Sequence, residues 1–255
     1  MTDLVYPPVV ALLKTWFRVM GISVTVTGAE HIPRTGGAVL ASNHVSYLDF
    51  IFAGLAGREA GRYTRFMAKE AVFTHRVSGP LMRGMHHIPV DRSAGMASFR
   101  QALGALKAGE VVGIFPEATI SRSFTVKEIK SGAVRLAQAS GTPLVPVAVW
   151  GGQRMFTTGR PKDFTSRGRH VLVSVGEPIP APKKADGDAL TRLLRERLQE
   201  QLDELQRRTP EQPRPGEDAW WHPAHLGGTA PTPEQARASK LAEERAEEEQ
   251  GPAAL

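Results

Sequence analysis

The sequence predicts an α/β sandwich: a mixed, largely parallel sheet flanked by helices. Three observations predict it. Short apolar runs bounded by turn residues recur along the chain, as strands buried on both faces do. Segments of helical length with their own start and stop residues lie between those runs, and strand–helix alternation of this kind builds a layered sheet. Apolar residues make up 41% of the 255 positions and charged ones 23%, a balance that suits a globular chain rather than a disordered one.

Residues 4–20 read as a helix. Val9, Val10, Leu12, Leu13, Trp16, Phe17, Val19 and Met20 are apolar, and Lys14 and Arg18 lie one turn apart on another face. Pro7 and Pro8 suit a first helical turn, and Gly21 suits an end. Aromatic and basic residues on one amphipathic segment suit a membrane interface; packing on the domain's own core is the competing reading. Residues 1–21 are therefore set apart as an N-terminal amphipathic, membrane-interface helix.

The main domain is expected over 22–208. Residues 22–27 alternate apolar and polar side chains like a half-buried strand. Residues 37–42, 65–69, 111–115, 144–149 and 171–175 read as buried strands. Helices are expected over 94–108, between Ser93 and Gly109, and over 126–140. The second of these follows Thr125, has Glu128 placed for a capping box and stops at Gly141. Leu190, Leu193, Leu194, Leu198, Leu202 and Leu205 mark one face of a last helix. Beyond Arg208 the chain turns to Pro, Glu, Ala and Gly. Residues 209–255 are expected to be mostly disordered, with a transient charged helix over 234–249 and Trp220-Trp221-His222 as a docking patch. Deleting 212–255 is expected to change activity little.

Cysteine is absent, which excludes disulfide scaffolds, zinc ribbons and thiol nucleophiles. The net charge is +6, but residues 209–255 hold nine acidic and four basic side chains, leaving +11 on residues 1–208. A basic domain suits an anionic partner: nucleic acid, an anionic membrane surface or a phosphorylated small molecule. No apolar run reaches the roughly 18–20 residues a spanning helix needs, and no secretory signal pattern opens the chain.

Four stretches carry candidate chemistry. In the first, Asn43-His44-Val45-Ser46-Tyr47-Leu48-Asp49 joins a buried strand to an apolar helix. Ser46 and Asp49 have capping-box spacing. His44 falls at a strand-to-helix turn, on the sheet edge where α/β folds hold their sites. Asp49 one turn on can orient the imidazole, leaving its other nitrogen as a base. A catalytic pair and a cap with a buried histidine both fit. In the second, Arg92 follows the short apolar run Ile88-Pro89-Val90 and Asp91, placed either to grip a phosphate bidentately or to pair with Asp91. His86-His87 would point to opposite faces of a strand, against a metal site. In the third, a strand stops at Phe115-Pro116 and releases Glu117, Thr119, Ser121, Arg122 and Ser123, a set suited to a polyol phosphate or simply to a solvated loop. Lys127 and Lys130 follow it at a helix start, where they oppose the dipole; a nearby anion would offset that, and exposed lysines are the commoner explanation. The fourth, Val145-Pro146-Val147, reads as core strand.

Together these stretches resemble the glycerolipid acyltransferase superfamily, typified by bacterial 1-acylglycerol-3-phosphate acyltransferases. Asn43, His44, Ser46 and Asp49 match its first motif throughout. Ile88-Pro89-Val90-Asp91-Arg92 matches its second. Phe115, Pro116, Glu117, Thr119 and Ser121 match its third, where Ala118 replaces Gly and Ile120 replaces Arg. Val145-Pro146-Val147 matches its fourth. Order and spacing agree across 20–180.

The resemblance implies transfer of a fatty acyl group from acyl-CoA or acyl-carrier protein to the sn-2 hydroxyl of lysophosphatidic acid. His44 would be the base and Asp49 its orienting carboxylate. Asn43, Ser46, Arg92, Glu117, Thr119 and Ser121 would bind substrate, and Arg122 would stand in for the arginine missing at Ile120. No cofactor, metal or nucleic acid is expected, and a peripheral protein at the cytoplasmic face of a membrane is. Other lysophospholipid or glycolipid acceptors, a metal phosphoesterase using His44, Asp49, Asp91 and Glu117, and a non-enzymatic lipid-surface protein are the alternatives.

Overall fold

The computed structural model describes residues 3–91 and 95–250. Seven strands form one sheet in the order β1-β7-β6-β2-β5-β3-β4. They are β1 (Ser23–Thr27), β2 (Ala38–Ser42), β3 (Thr64–Lys69), β4 (Ile88–Val90), β5 (Val111–Ile114), β6 (Leu144–Trp150) and β7 (His170–Val175). Every neighbouring pair is parallel except β6 and β7, so the expected mixed, largely parallel sheet is found.

Both faces of the sheet are covered. The period-two alternation of a strand sends Val39 and Ala41 of β2 into one core and Ala38 and Leu40 into the other. This is why all five residues of β2 are buried and why it reads as a continuous apolar run. One face carries α5 (Gly95–Lys107), α6 (Gly132–Ser140) and α7 (Gly187–Arg208); the other carries α1 (Tyr6–Met20) and α2 (Asp49–Glu59). Asp186 caps α7 by accepting the amide hydrogens of Asp188 and Ala189. Leu194, Leu198 and Leu202 of α7 are wholly buried, each contributing roughly 1.5–3 kcal/mol. That exceeds any helix propensity, so the packed face rather than local preference holds α7.

Helix α1 ends at Gly21, which takes φ +63, the left-handed conformation that glycine reaches without a Cβ clash. Tyr6 and Phe17 are buried and Val10, Leu13, Trp16 and Met20 pack against the core, while Leu4, Leu12 and Val19 remain exposed. The core-packing reading of this segment therefore holds for one face. Two short helices, α3 (Glu70–Thr74) and α4 (Ser78–Gly84), were not foreseen; each is too short to show a helical period.

Two expectations need correction. The helix expected from residue 126 begins at Gly132 instead. Its would-be first amides are taken elsewhere: Val126 N–H donates to Gln199, Lys127 N–H to Glu117, and Lys130 N–H to Pro116 O. The tail is also more ordered than its composition suggests. Ala219, Trp221 and Ala230 join the core beside α7, His222 is buried against Trp150, and α8 (Pro233–Gln250) follows. Proline-rich composition hides a few large anchors, and Trp221 with Trp220 is the part of the tail that buries apolar surface. No helix of the described residues is long and apolar enough to cross a membrane.

Candidate active site

Strands β2, β5 and β6 run parallel and adjacent, with Ala41 level with Ile114 and Pro146. Their carboxyl ends therefore leave the same sheet edge side by side. Three loops meet there: 43–48 after β2, 115–131 after β5 and 151–158 after β6.

The first loop carries His44 and Asp49. His44 Nδ1 lies 3.0 Å from Asp49 Oδ2. The same oxygen accepts the amide hydrogens of Val45 and Ser46, each at 2.7 Å. An oxygen already accepting two N–H bonds is an acceptor to its third neighbour, which assigns the proton to Nδ1 and leaves Nε2 with its lone pair. The expected capping box is not formed: α2 starts at Asp49 with Leu48 as its N-cap and no side-chain cap, and Ser46 Oγ accepts Leu48 N–H instead. Asp49 is wholly buried. Burial pushes its carboxyl above the ordinary aspartate value, and His44 and the two amides pull it back. Asp49 Oδ1 is buried with no hydrogen-bond partner among the described residues.

Phe115 stacks on the His44 ring at 4.3 Å with 25° between planes. One edge of the imidazole is held by Asp49 and one face by Phe115; the side chain keeps 19% exposure. The remaining edge carries Nε2.

The second loop grips the backbone of the same histidine. His44 N–H donates to Glu117 Oε1 at 2.7 Å, and Ser121 N–H donates to His44 O at 2.7 Å. Glu117 Oε2 accepts Lys127 N–H at 3.0 Å. Burial pushes the Glu117 carboxyl up to about 7, against these two amides and the Lys127 charge, which pull it down. Lys127 Nζ donates to Thr119 O and Oγ1, each at 2.6 Å, and more weakly to Ile120 O. The amine so braces the loop at the position where the resemblance leads one to expect an arginine.

The third loop closes the other side. Ser46 Oγ–H and Tyr47 N–H both donate to Phe156 O, and Thr157 Oγ1–H donates to Val45 O. Asn43 makes a two-point bond with the Val149 backbone, at 2.7 and 3.0 Å.

The structure thus brings most of the expected residues together and divides their roles. His44 and Asp49 form a hydrogen-bonded pair. Asn43, Ser46, Glu117 and Ser121 are buried, with their polar side-chain atoms taken by the protein. In the folded chain these side chains hold the turn that carries His44. Thr119 stands half-buried on the outer side of the loop. Arg122 sits two residues beyond Ile120, its guanidinium bonded bidentately to Glu243 of α8 at 2.6 and 2.8 Å. Arg92 lies outside the described residues. Phe156 and Thr157 were missed as parts of the site; they act through long-range contacts that no local spacing announces. Among the described residues no three His, Asp or Glu side chains converge as metal ligands.

A histidine held by a buried carboxylate at the carboxyl edge of such a sheet is an arrangement able to serve as a general base toward a hydroxyl. Comparison narrows the class. A family model described as Acyltransferase matches residues 23–150. The chain is 32% identical over 192 residues to a 1-acyl-sn-glycerol-3-phosphate acyltransferase of Bacillus subtilis (strain 168), covering 71% of this chain and 91% of that protein. It is 24% identical to a protein of the same description from Borreliella burgdorferi, over 76% of this chain and 78% of that one. The crystal structure of the 1-acyl-sn-glycerophosphate acyltransferase of Thermotoga maritima has the same fold, with a TM-score of 0.67, 24% identity and 80% of each chain covered. The chain belongs to the acyltransferase family and is an O-acyltransferase.

Proposed function

We propose that this chain moves a fatty acyl group from acyl-CoA or acyl-carrier protein to the sn-2 hydroxyl of lysophosphatidic acid, a step of phospholipid biosynthesis. The reading rests on the His44–Asp49 pair at 3.0 Å, and the substrates named for the relatives support the choice of acceptor. His44 Nε2 takes the hydroxyl proton as that oxygen attacks the thioester carbonyl. The carbon–sulfur bond then breaks, and the departing thiolate takes the proton back from the imidazolium. Asp49 stabilises the imidazolium and fixes its tautomer. Direct attack needs no acyl-enzyme, in keeping with a chain that has no cysteine.

Arg92 and Arg122 are the guanidinium groups for the acceptor phosphate, and Thr119 Oγ1 is free to donate to the glycerol part. Arg122 would exchange its present carboxylate, Glu243, for the phosphate; both suit the same two-pronged fork. The exposed face of α1 attaches the enzyme to the cytoplasmic face of a membrane from outside the bilayer, where its acceptor resides.

Thiol release from acyl-CoA, with mass spectrometry of the lysophosphatidic acid product, tests the assignment. His44→Ala should lower turnover by roughly 10²–10⁴-fold, the range for a lost general base, with the thermal midpoint kept. Asp49→Asn should cost less and preserve the acceptor KM. Near-normal turnover by folded His44→Ala would end the assignment.

A further inference from the structure

We infer that the loop over residues 156–168 and Tyr47 form, with α1, one continuous docking face for an anionic bilayer surface, placed at the rim of the catalytic turn. This rests on the reading of α1 as an interfacial helix and extends it to residues that no feature of α1 implies.

A line of aromatic rings carries the inference. Trp16 of α1 meets Phe164 at 6.1 Å, Phe164 meets Phe156 at 6.0 Å, and Phe156 meets Tyr47 at 4.4 Å. Two of these rings face solvent: Tyr47 is 45% and Phe164 40% exposed. Exposed aromatic rings in a row are costly to leave in water and suit the boundary between headgroups and acyl chains. Leu12, Trp16 and Val19 lie at i, i+4 and i+7, on one stripe of α1, and Leu12 and Val19 are 71% and 57% exposed.

Loop and helix are tied together. Gly168 N–H donates to Met20 O at 3.0 Å, and Arg167 donates to Val19 O. They therefore present their apolar groups on one surface. Tyr47 belongs to the turn that also carries His44, three residues earlier.

Charge selects the partner. The one acidic residue between 155 and 170 is Asp163, and it is spent within the loop: it accepts from Ser166 N–H at 2.9 Å and pairs with Arg169 at 2.8 Å. Arg160, Lys162 and Arg167 are exposed and form no ion pair among the described residues; Lys162 lies over the Phe156 ring at 4.7 Å. Unpaired cations around exposed rings match anionic headgroups over an apolar interior. An acidic protein would satisfy the cations but leave Phe164, Leu12 and Val19 without an apolar partner.

The test is co-sedimentation of the full chain with phosphatidylglycerol–phosphatidylcholine vesicles, comparing Phe164→Ser, Lys162→Glu and Leu12→Ser with wild type. All three positions are on the surface, and unchanged thermal midpoints check the fold. Phe164→Ser and Lys162→Glu should each weaken partitioning roughly fivefold or more, about the effect of one basic residue at a charged bilayer. Loss of binding by Leu12→Ser alone overturns the extended face and leaves α1 as the anchor. Unaltered binding by all three overturns both. Weakened binding of Lys162→Glu to acyl-carrier protein, with vesicle binding unchanged, gives the face to a protein partner instead. None of these readouts depends on turnover, so none is confused with failure of the acyl-transfer assignment.

Discussion

Ala118 sits at φ +61 on the loop that grips His44. A Cβ in this left-handed region crowds the carbonyl at about 1–2 kcal/mol, and the side chain is exposed, so packing does not repay it. Glycine removes the crowding and returns about 0.5–1 kcal/mol as unfolded-chain entropy. Ala118→Gly should therefore raise stability by up to about 1 kcal/mol, seen as a higher denaturant midpoint; a lower midpoint would show that the loop absorbs the methyl group without strain. Its neighbour Glu117 makes stability depend on pH. Its folded carboxyl is pushed up to about 7, against 4.5 for the unfolded chain. Between these values the folded protein holds a proton that the unfolded chain has released. The contribution is full below the lower value and is lost as pH rises through the upper one, at no more than about 1.4 kcal/mol per pH unit. Glu117→Gln cannot titrate, and its single oxygen serves one of two amides, costing about 1–3 kcal/mol. The stability gap between wild type and Glu117→Gln should narrow from about pH 5 to about pH 8; a constant gap in urea titrations refutes the assignment. The spacing of His44, Ser46 and Asp49 leaves cap and catalytic pair as rivals, because sequence gives positions along a chain and not lone pairs. In the folded chain His44 and two amides converge on one Asp49 oxygen, while Leu48 is the N-cap of α2 and no side chain caps it.

The strands were legible because each is buried on both faces and bounded by turn residues, and α7 because its leucines repeat at helical spacing. The segment 126–131 was not legible. Its residues read as a helix start, but their amides serve Gln199 of α7 and Glu117 and Pro116 at the start of the same loop, partners beyond the reach of a helical turn. The same distance hides what Arg122 meets. In the folded chain its fork is held by Glu243 of α8, a carboxylate where the proposal needs a phosphate. Competition follows. Arg122→Ala should raise the acceptor KM by roughly 10–100-fold, the loss of about 1.5–3 kcal/mol for a bond to a charged group, with a smaller effect on the donor KM. Arg122→Lys should recover only part, since an ammonium lacks the fork. Glu243→Ala should act in the opposite sense and lower the acceptor KM. Steady-state kinetics on lysophosphatidic acid read all three. If Arg122→Ala and Glu243→Ala both leave acceptor KM unchanged, the ion pair is a surface contact and the phosphate site lies elsewhere.

Across the whole molecule the tail divides into two parts that composition alone cannot separate. Residues 219–230 close the core over α7: Ala219 and His222 have no exposed surface, and Trp221 keeps 4%. Arg154 lies over the Trp221 ring at 4.2 Å, and Gln153 donates to Trp221 O, so the loop after β6 that pins the catalytic turn leans on the tail. Residues 233–250 form α8, whose described side chains are largely exposed and whose bidentate ion pair with Arg122 is its tie to the site. Two truncations should therefore behave differently. Deleting 212–255 uncovers the core cluster that Trp221 seals, and stripping a buried Trp costs about 3–5 kcal/mol from a total of about 5–15 kcal/mol. At about 2–4 °C per kcal/mol for a chain of this size, the midpoint should fall by roughly 10 °C or more. Turnover should fall with it, because the 151–158 loop loses its support. Deleting 232–255 removes no core residue; the midpoint should hold, and acceptor KM should fall as it does for Glu243→Ala. Thermal unfolding and acceptor kinetics on the two truncations decide the matter. Equal stability of both would mean that Trp221 is dispensable and that the domain ends at α7, as its composition suggests.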